Sequence, residues 1–195
     1  WRFINPKLDA VYGTEGMGTT AENLVDLYGI SREDQDRFAA WSQQKAQAAK
    51  EACLLSKEIA PVHIPRRKQE DLVFSEDEFI RAGTTAEVLS KLRPAFRKEG
   101  GTVTAGNSSG LNDGACALML ASERGVEQNG LKPLARFVSS AVVGVEPRIM
   151  GIGPVDASKK ALQRAGLRLD QMDHIELNEA FAAQALACTR ALGLS

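Results

Sequence analysis

Histidine and cysteine are scarce in this 195-residue chain, with two of the first and three of the second. His63 and His174 stand too far apart for the short spacing of a metal-ligating pair, so no metal is expected. Cys53, Cys116 and Cys188 form neither a CxxC nor a disulfide framework, and each, lying among apolar neighbours, reads as a small core residue. An excess of one charge is missing too. Lys and Arg number 24 against 25 Asp and Glu, a net charge of -1, which removes the electrostatic support that nucleic-acid binding needs. No apolar run approaches the ~20 residues that span a bilayer, and no signal-peptide pattern opens the chain, so a cytoplasmic protein with no membrane partner is expected. The remainder, 44% hydrophobic and 25% charged, suits a globular chain that buries a core in one or two domains.

The sharpest local signal is Asp173 to Leu192, DHIELNEAFAAQALACTRAL. His174 to Leu177 alternates and predicts a strand. Ala180 onward predicts a helix with Phe181, Gln184, Ala185 and Cys188 on one face. Asn178 and Glu179 fall at the junction, where free N–H groups and the positive end of the helix dipole favour oxygen-rich or anionic ligands. In an open α/β sheet such junctions stand at the carboxyl ends of strands, where ligands bind. Asn and Glu are also ordinary capping types, and the local pattern leaves both readings open.

From the start, the chain opens on Trp1 rather than Met and reads as a piece of a longer protein. Thr19 and Glu22 have capping-box spacing, with Gly29 to end the helix. A second helix starts at Ser31 and runs for about six turns. Phe38, Trp41, Ala48, Ala52 and Leu55 would form its packed face. Two prolines around Val62-His63-Ile64 suggest an edge strand, and the mixed charges of residues 66–78 a solvated loop. A second GTT, at Gly83 to Thr85, repeats the capping-box spacing with Glu87 and starts a short helix ending before Pro94.

Five glycines among small polar residues fill Gly100 to Gly114, GGTVTAGNSSGLNDG, and a domain boundary is expected near Gly100. A plain surface loop would have this composition. So would a backbone that must approach a ligand closely. Ala115 to Ala121 is expected as a buried strand, Ser122 to Asn129 as a helix closed by Gly130, and Leu134 to Val145 as the strongest strand. After Met150-Gly151-Ile152-Gly153-Pro154 comes a helix over Val155 to Ala165. Strand, helix, strand and helix in succession are the grammar of an α/β unit.

Four segments, in order, resemble the thiolases: Met17-Gly18-Thr19-Thr20-Ala21-Glu22-Asn23; Ala105 to Gly110 with Asn112-Asp113-Gly114; Met150 to Pro154; and Asn178-Glu179-Ala180-Phe181-Ala182. The resemblance covers essentially the whole chain and about the middle half of a typical member. It implies an α/β thiolase-like fold, present in part: a mostly helical, CoA-binding loop domain over 1–100, the end of the N-terminal half over 101–132, and the start of the C-terminal half over 133–195. It also implies acyl transfer between acetyl-CoA and a 3-oxoacyl-CoA, with coenzyme A and acyl-CoA as substrates, no covalently bound cofactor, and a homo-oligomer, dimer or tetramer.

Carried over by motif, Asn178 would position an oxyanion-hole water and Ser109 would contact the CoA pantetheine. Met17, Phe96, Met150, Ala180 and Phe181 would line the pantetheine and acyl tunnel, bordered by Ala105 and Gly106. Arg81 would lie near the nucleotide end. The opening Trp1 to Pro6 and the Gly16-Met17 pair resemble the 3-oxoadipyl-CoA thiolases of aromatic-compound degradation. None of Cys53, Cys116 and Cys188 stands in either catalytic cysteine motif of the family, and no GHP histidine is present. The chain alone is therefore expected to be inactive, with unpaired sheet edges and apolar faces around Leu186 and Leu192 uncovered. The alternative reading is a non-catalytic protein of the same family, binding acyl-CoA or lipid or serving assembly.

Overall fold

The computed structural model describes residues 3–194; Trp1 and Arg2 of the opening run, and Ser195, lie outside the described residues. Seven α-helices and one two-stranded sheet are present among them. Helix α1 (Pro6–Tyr12) is capped by the Asn5 side chain and packs no buried residue. Helix α2 (Met17–Tyr28) ends at Gly29, whose φ of 60° is left-handed and closes the last turn without a side-chain penalty. Ser31 caps α3 (Arg32–Glu51) by accepting the Asp34 N–H at 3.0 Å.

The expected capping box at the start of α2 does not form. Gly16 is the N-cap, Thr19 lies inside the first turn, and Glu22 turns inward instead. There its Oε1 accepts the backbone N–H groups of Thr102 and Val103, both at 2.9 Å, while Thr102 Oγ1 donates to Oε2 at 3.2 Å. A carboxylate with three donors inside the protein outcompetes a local cap.

The packed face of α3 also differs from the expected one. Gln35, Asp36, Ala39 and Ala40 are buried, whereas Trp41 is 53% exposed, Ala52 is the C-cap, and Leu55 begins a separate short 3-10 turn (Leu55–Lys57). The inward-facing polar side chains are partnered on one or both ends: Gln35 Nε2 donates to Thr102 Oγ1 at 2.9 Å while its Oε1 has no partner among the described residues, and Asp36 accepts from Arg32 Nε at 2.7 Å and Asn107 Nδ2 at 3.0 Å. Ala39 and Ala40 leave room for Leu89 of α4 (Ala86–Ser90). Thr85, one residue after the expected position, caps α4 through the Val88 N–H.

The main core lies where α2 meets α7 (Ala182–Leu192) and the 3-10 segment Pro147–Ile152. Ala21, Leu24, Val25, Ile30, Val103, Ala183 and Ala187 form it, and Ile149, Ile152, Phe181 and Leu186 pack against it, so Leu186 is not left uncovered. Alanines on α7 let the helices approach closely. Gly151 completes the contact, since a Cβ there would stand 2.7 Å from Gln184 and 2.9 Å from Leu24.

The strands tell a different story. The one ladder among the described residues joins β1 (Val62–Ile64) and β2 (Leu72–Phe74), antiparallel, with Val62 opposite Phe74 and Ile64 opposite Leu72. The charged run thus contains a strand as well as a loop. Residues 115–121, 134–145 and 174–177, all expected as strands, form no strand and make no ladder, and Leu120 and Leu134 are 87% and 99% exposed. Val- and Phe-rich composition favours extended backbone, but a ladder needs a second strand for its N–H and C=O groups, and none of the described residues supplies one. Residues 139–142 nevertheless lie along α6 (Gly153–Ala165). Ser139 Oγ donates to the Ala161 carbonyl and Arg164 to the Ser140 carbonyl, each at 2.7 Å. The chain presents 15020 Å² of accessible surface, well above the roughly 9,000 Å² of a compact protein of this mass. Helix α5 (Glu123–Asn129), capped by Ser122, contributes no buried residue.

Candidate functional site

Helix α7 begins two residues later than its composition suggests. Phe181 is the N-cap, with extended backbone and no side-chain cap bond, so Asn178 and Glu179 neither cap the helix nor stand in its first turn. The segment before it pairs with the glycine-rich loop. Ser108 and Phe181 form an antiparallel bridge, the Ser109 N–H donates to the Ala180 carbonyl at 3.0 Å, and the Ala182 N–H donates to the Asn107 carbonyl at 2.9 Å. The helix N–H group expected to face a ligand is thereby taken by a loop carbonyl.

Asn107 holds that loop. Its Oδ1 accepts the Thr104 N–H at 2.7 Å, and its Nδ2 donates to Asp36 and, at 3.1 Å, to the Thr102 carbonyl. Thr104 and Asn107 are buried, while Ala105 and Ser109 are exposed. Gly106 lies against Leu89 and Leu92, whose side-chain atoms would stand 2.6 and 2.5 Å from a Cβ. The loop is thus neither a plain surface turn nor free to move as one, since its carbonyls and side chains are fastened on both sides.

An aromatic pair stands beside it. Phe96 and Phe181 meet edge to face, ring centroids 6.0 Å apart at 85°, and the Phe96 ring occupies the space a Cβ on Gly18 would need, 2.2 Å from it. Met17 precedes that glycine. The 3-10 segment that carries Met150 is tied to the start of α2 by a polar clasp: Arg148 Nε donates to Glu15 at 3.1 Å, and Asn23 Nδ2 donates to Glu15 at 2.6 Å and to the Arg148 carbonyl at 3.0 Å. Met17, Phe96 and Met150 remain about half exposed.

Two concavities flank α3. A cavity of about 170 Å³ is bordered by Phe38, Ser42, Phe79, Ser109, Asn112 and Glu179. A second, of about 270 Å³, is bordered by Gln47, Glu51, Arg81, Gly83 and Thr84, with Gln43 on the rim of both. Arg81 is held there by its N–H, which donates to Gln43 at 2.8 Å, and its guanidinium lies 5.6 Å from the Phe79 ring. Ser109 with Ala180, and Phe96 with Phe181, are therefore brought together, whereas Arg81 stands apart beyond Gln43.

The buried roles of Asp36 and Asn107 were not read from the sequence, and Glu22 was read only as a cap partner, because a buried polar residue on a helix or in a loop carries no local mark of its remote partner. Of the cysteines only Cys188 is buried, where desolvation raises its thiol pKa; Cys53 and Cys116 are exposed, contrary to their reading as core residues. Cys116 lies in the run 115–121 that has no ladder partner, and Cys53 follows α3 at a φ of 55°. Asp34 is held below the usual aspartate range, chiefly by Arg190 of α7 and then by Arg37. Among the described residues no three His, Cys, Asp or Glu side chains gather as a metal site, and no helix is long and apolar enough to cross a membrane.

This pairing of the AGNSSG loop with the NEAFA segment falls within a match to one family along nearly the whole chain. The family model described as "Thiolase, N-terminal domain" matches residues 3–124 and that described as "Thiolase, C-terminal domain" matches residues 131–195. The chain belongs to the thiolase family. It is 57% identical over 195 residues to the beta-ketoadipyl-CoA thiolase of Acinetobacter baylyi, covering 100% of this chain and 48% of the relative. It is 58% identical over 177 residues to an acetyl-CoA acetyltransferase of Pseudomonas aeruginosa, covering 91% and 45% respectively. The crystal structure of the Bacillus anthracis acetyl-CoA acetyltransferase superposes with a TM-score of 0.90 at 50% identity, over 93% of this chain and 45% of that one. That of human mitochondrial 3-ketoacyl-CoA thiolase gives 0.86 at 49%, over 92% and 44%. The fold is the thiolase fold in part, and the chain spans about half the length of the curated relatives it matches.

Proposed function

We propose that these residues furnish the CoA-facing wall and one oxyanion group of an acyltransferase site that exchanges acyl groups between acetyl-CoA and a 3-oxoacyl-CoA. The observation that carries this is the two-sided pairing of residues 107–109 with 180–182, which sets Ser109 beside Ala180 and leaves the Asn178 side chain exposed on the same segment. In this reading Asn178 holds a water that donates to the developing thioester oxyanion, where a positioned donor acts most strongly in the transition state. Ser109 meets the pantetheine, flanked by Ala105 and Gly106. Met17, Phe96, Met150, Ala180 and Phe181 wall the tunnel, and Arg81 serves the nucleotide end. CoA and acyl-CoA are substrates, and no covalent cofactor is called for. The names of relatives such as the A. baylyi enzyme favour 3-oxoadipyl-CoA as the acyl substrate.

Residues 1–100 then serve as the loop domain, 101–132 as the end of the N-terminal half and 133–195 as the start of the C-terminal half. The attacking thiolate, its histidine and the second acid/base cysteine are contributed by other segments, since Cys188 is buried and neither Cys53 nor Cys116 stands near Asn178's motif. A homo-oligomer in the cytoplasm fits the family. The exposed apolar side chains of residues 118–120 and 134 favour a second reading, in which the chain serves assembly or binds acyl-CoA without catalysis.

The test is thiolysis of 3-oxoadipyl-CoA by the protein expressed from its complete reading frame. Acetyl-CoA formation is expected, and Asn178→Ala should lower kcat by roughly 100-fold. CoA binding to the wild type without acetyl-CoA formation would favour the non-catalytic reading.

A further inference from the structure

We propose that Glu179 is a positioning residue for Asn178, anchoring the junction to α3 so that the asparagine faces the reacting thioester; this rests on the acyl-transfer reading above. Glu179 is fastened from two sides by one helix. Ser42 Oγ donates to its Oε2 at 2.5 Å, and Lys45 Nζ lies 3.7 Å from its Oε1. Lys45 is fixed in turn, its ammonium 3.6 Å from the Trp41 ring centroid. Asn178, the preceding residue, is exposed, does not border the cavity that Glu179 borders, and has no hydrogen-bond partner among the described residues.

Among the described residues no other side-chain contact anchors this junction: residues 173–177 belong to no ladder, and the backbone bond from Ser109 reaches the chain only at Ala180. An oxyanion group is worth most when its direction is set in advance, and a misplacement of about 1 Å can cost ~100-fold in rate. The Glu179 carboxylate does this from the cavity between α3 and the loop, which Asn178 does not border. It also explains why α3 exposes Trp41 while burying small and polar residues: that side of the helix holds Lys45 in place.

Steady-state thiolysis by the protein from its complete reading frame tests this. Glu179→Ala should lower kcat about tenfold or more while the KM for CoA stays within about twofold. Glu179→Gln, whose amide oxygen still accepts from Ser42, should recover most of the loss. Ser42→Ala, which leaves the junction's own sequence intact, should show a smaller loss in the same direction. In an Asn178→Ala background Glu179→Ala should cost less than about twofold, because a residue acting through Asn178 has nothing left to orient. A full, multiplicative loss in that background, unaltered kcat in Glu179→Ala, or Gln no better than Ala would overturn the proposal. A wild type without thiolysis would instead bring down the acyl-transfer reading on which it rests.

Discussion

Residues 102–109 and 111–121 adjoin in sequence and share small or apolar side chains on irregular backbone, yet Val103 is fully buried and Leu118 is 88% exposed. The difference is in what receives their backbone groups. The first stretch delivers two N–H groups to Glu22, one to Asn107 Oδ1 and two carbonyls to Asn107 and Ser108 side chains. The second has no such partner among the described residues. Irregular backbone is thus ordered here largely by side chains that take up its N–H and C=O groups.

That contrast can be broken from the ordered side. Glu22→Ala should strip two buried N–H groups of their acceptor and cost about 2–4 kcal/mol, whereas Glu22→Gln, which keeps an oxygen at the Oε1 position, should cost much less; urea unfolding monitored by circular dichroism measures both. Equal losses in the two variants would mean that packing, not acceptance of the N–H groups, fastens the loop.

A smaller effect sharpens it from the other side. In the 195-residue chain, iodoacetamide should modify Cys116 and Cys53 within the time that leaves Cys188 intact, because Cys188 is buried with a raised thiol pKa. Peptide mass mapping reads out the order. Protection of Cys116 would place the run 115–121 in an ordered contact and erase the contrast.

The smallest expected effect lies at the helix pair behind the loop. Asp34 has a depressed pKa in the folded state, so the stability it contributes through Arg190 is present above the unfolded aspartate value of ~3.9 and is lost as pH falls through the folded value. Because Arg190 is 43% exposed, solvent screening holds that contribution to about 0.5 kcal/mol. Asp34→Asn should reduce stability at pH 7 by that amount and leave little difference from wild type at pH 3, as measured by thermal melts.

Helix ends were legible in the sequence wherever one residue decides them. Ser31 and Ser122 cap, and Gly29, Gly130 and Gly166 terminate, because the physics is confined to neighbouring peptide units. The ordered set of thiolase motifs likewise carried the family. Misreadings fell where the deciding partner is remote. Glu22 was read as a cap and is a loop anchor; α3 was read by its apolar residues and is buried by Gln35 and Asp36, which find Thr102 and Asn107. Residues 134–145 were read as a strand on propensity, which sets the backbone angles but supplies no second chain to pair with. Of the candidate site, the meeting of Ser109 with Ala180 and of Phe96 with Phe181 could be expected only from family resemblance, since no local spacing joins them.

The bond from the Ala182 N–H to the Asn107 carbonyl has a consequence for the order of folding. Helix α7 has no side-chain cap of its own, so its first turn is completed by a residue far back along the chain. Such a turn waits for a long loop to close, and long closures are slow relative to helix growth. The middle of α7 can form early on its alanines. Its opening turn, next to the candidate oxyanion residue, forms only when the glycine-rich loop has docked, so the site's geometry is among the last features to be acquired.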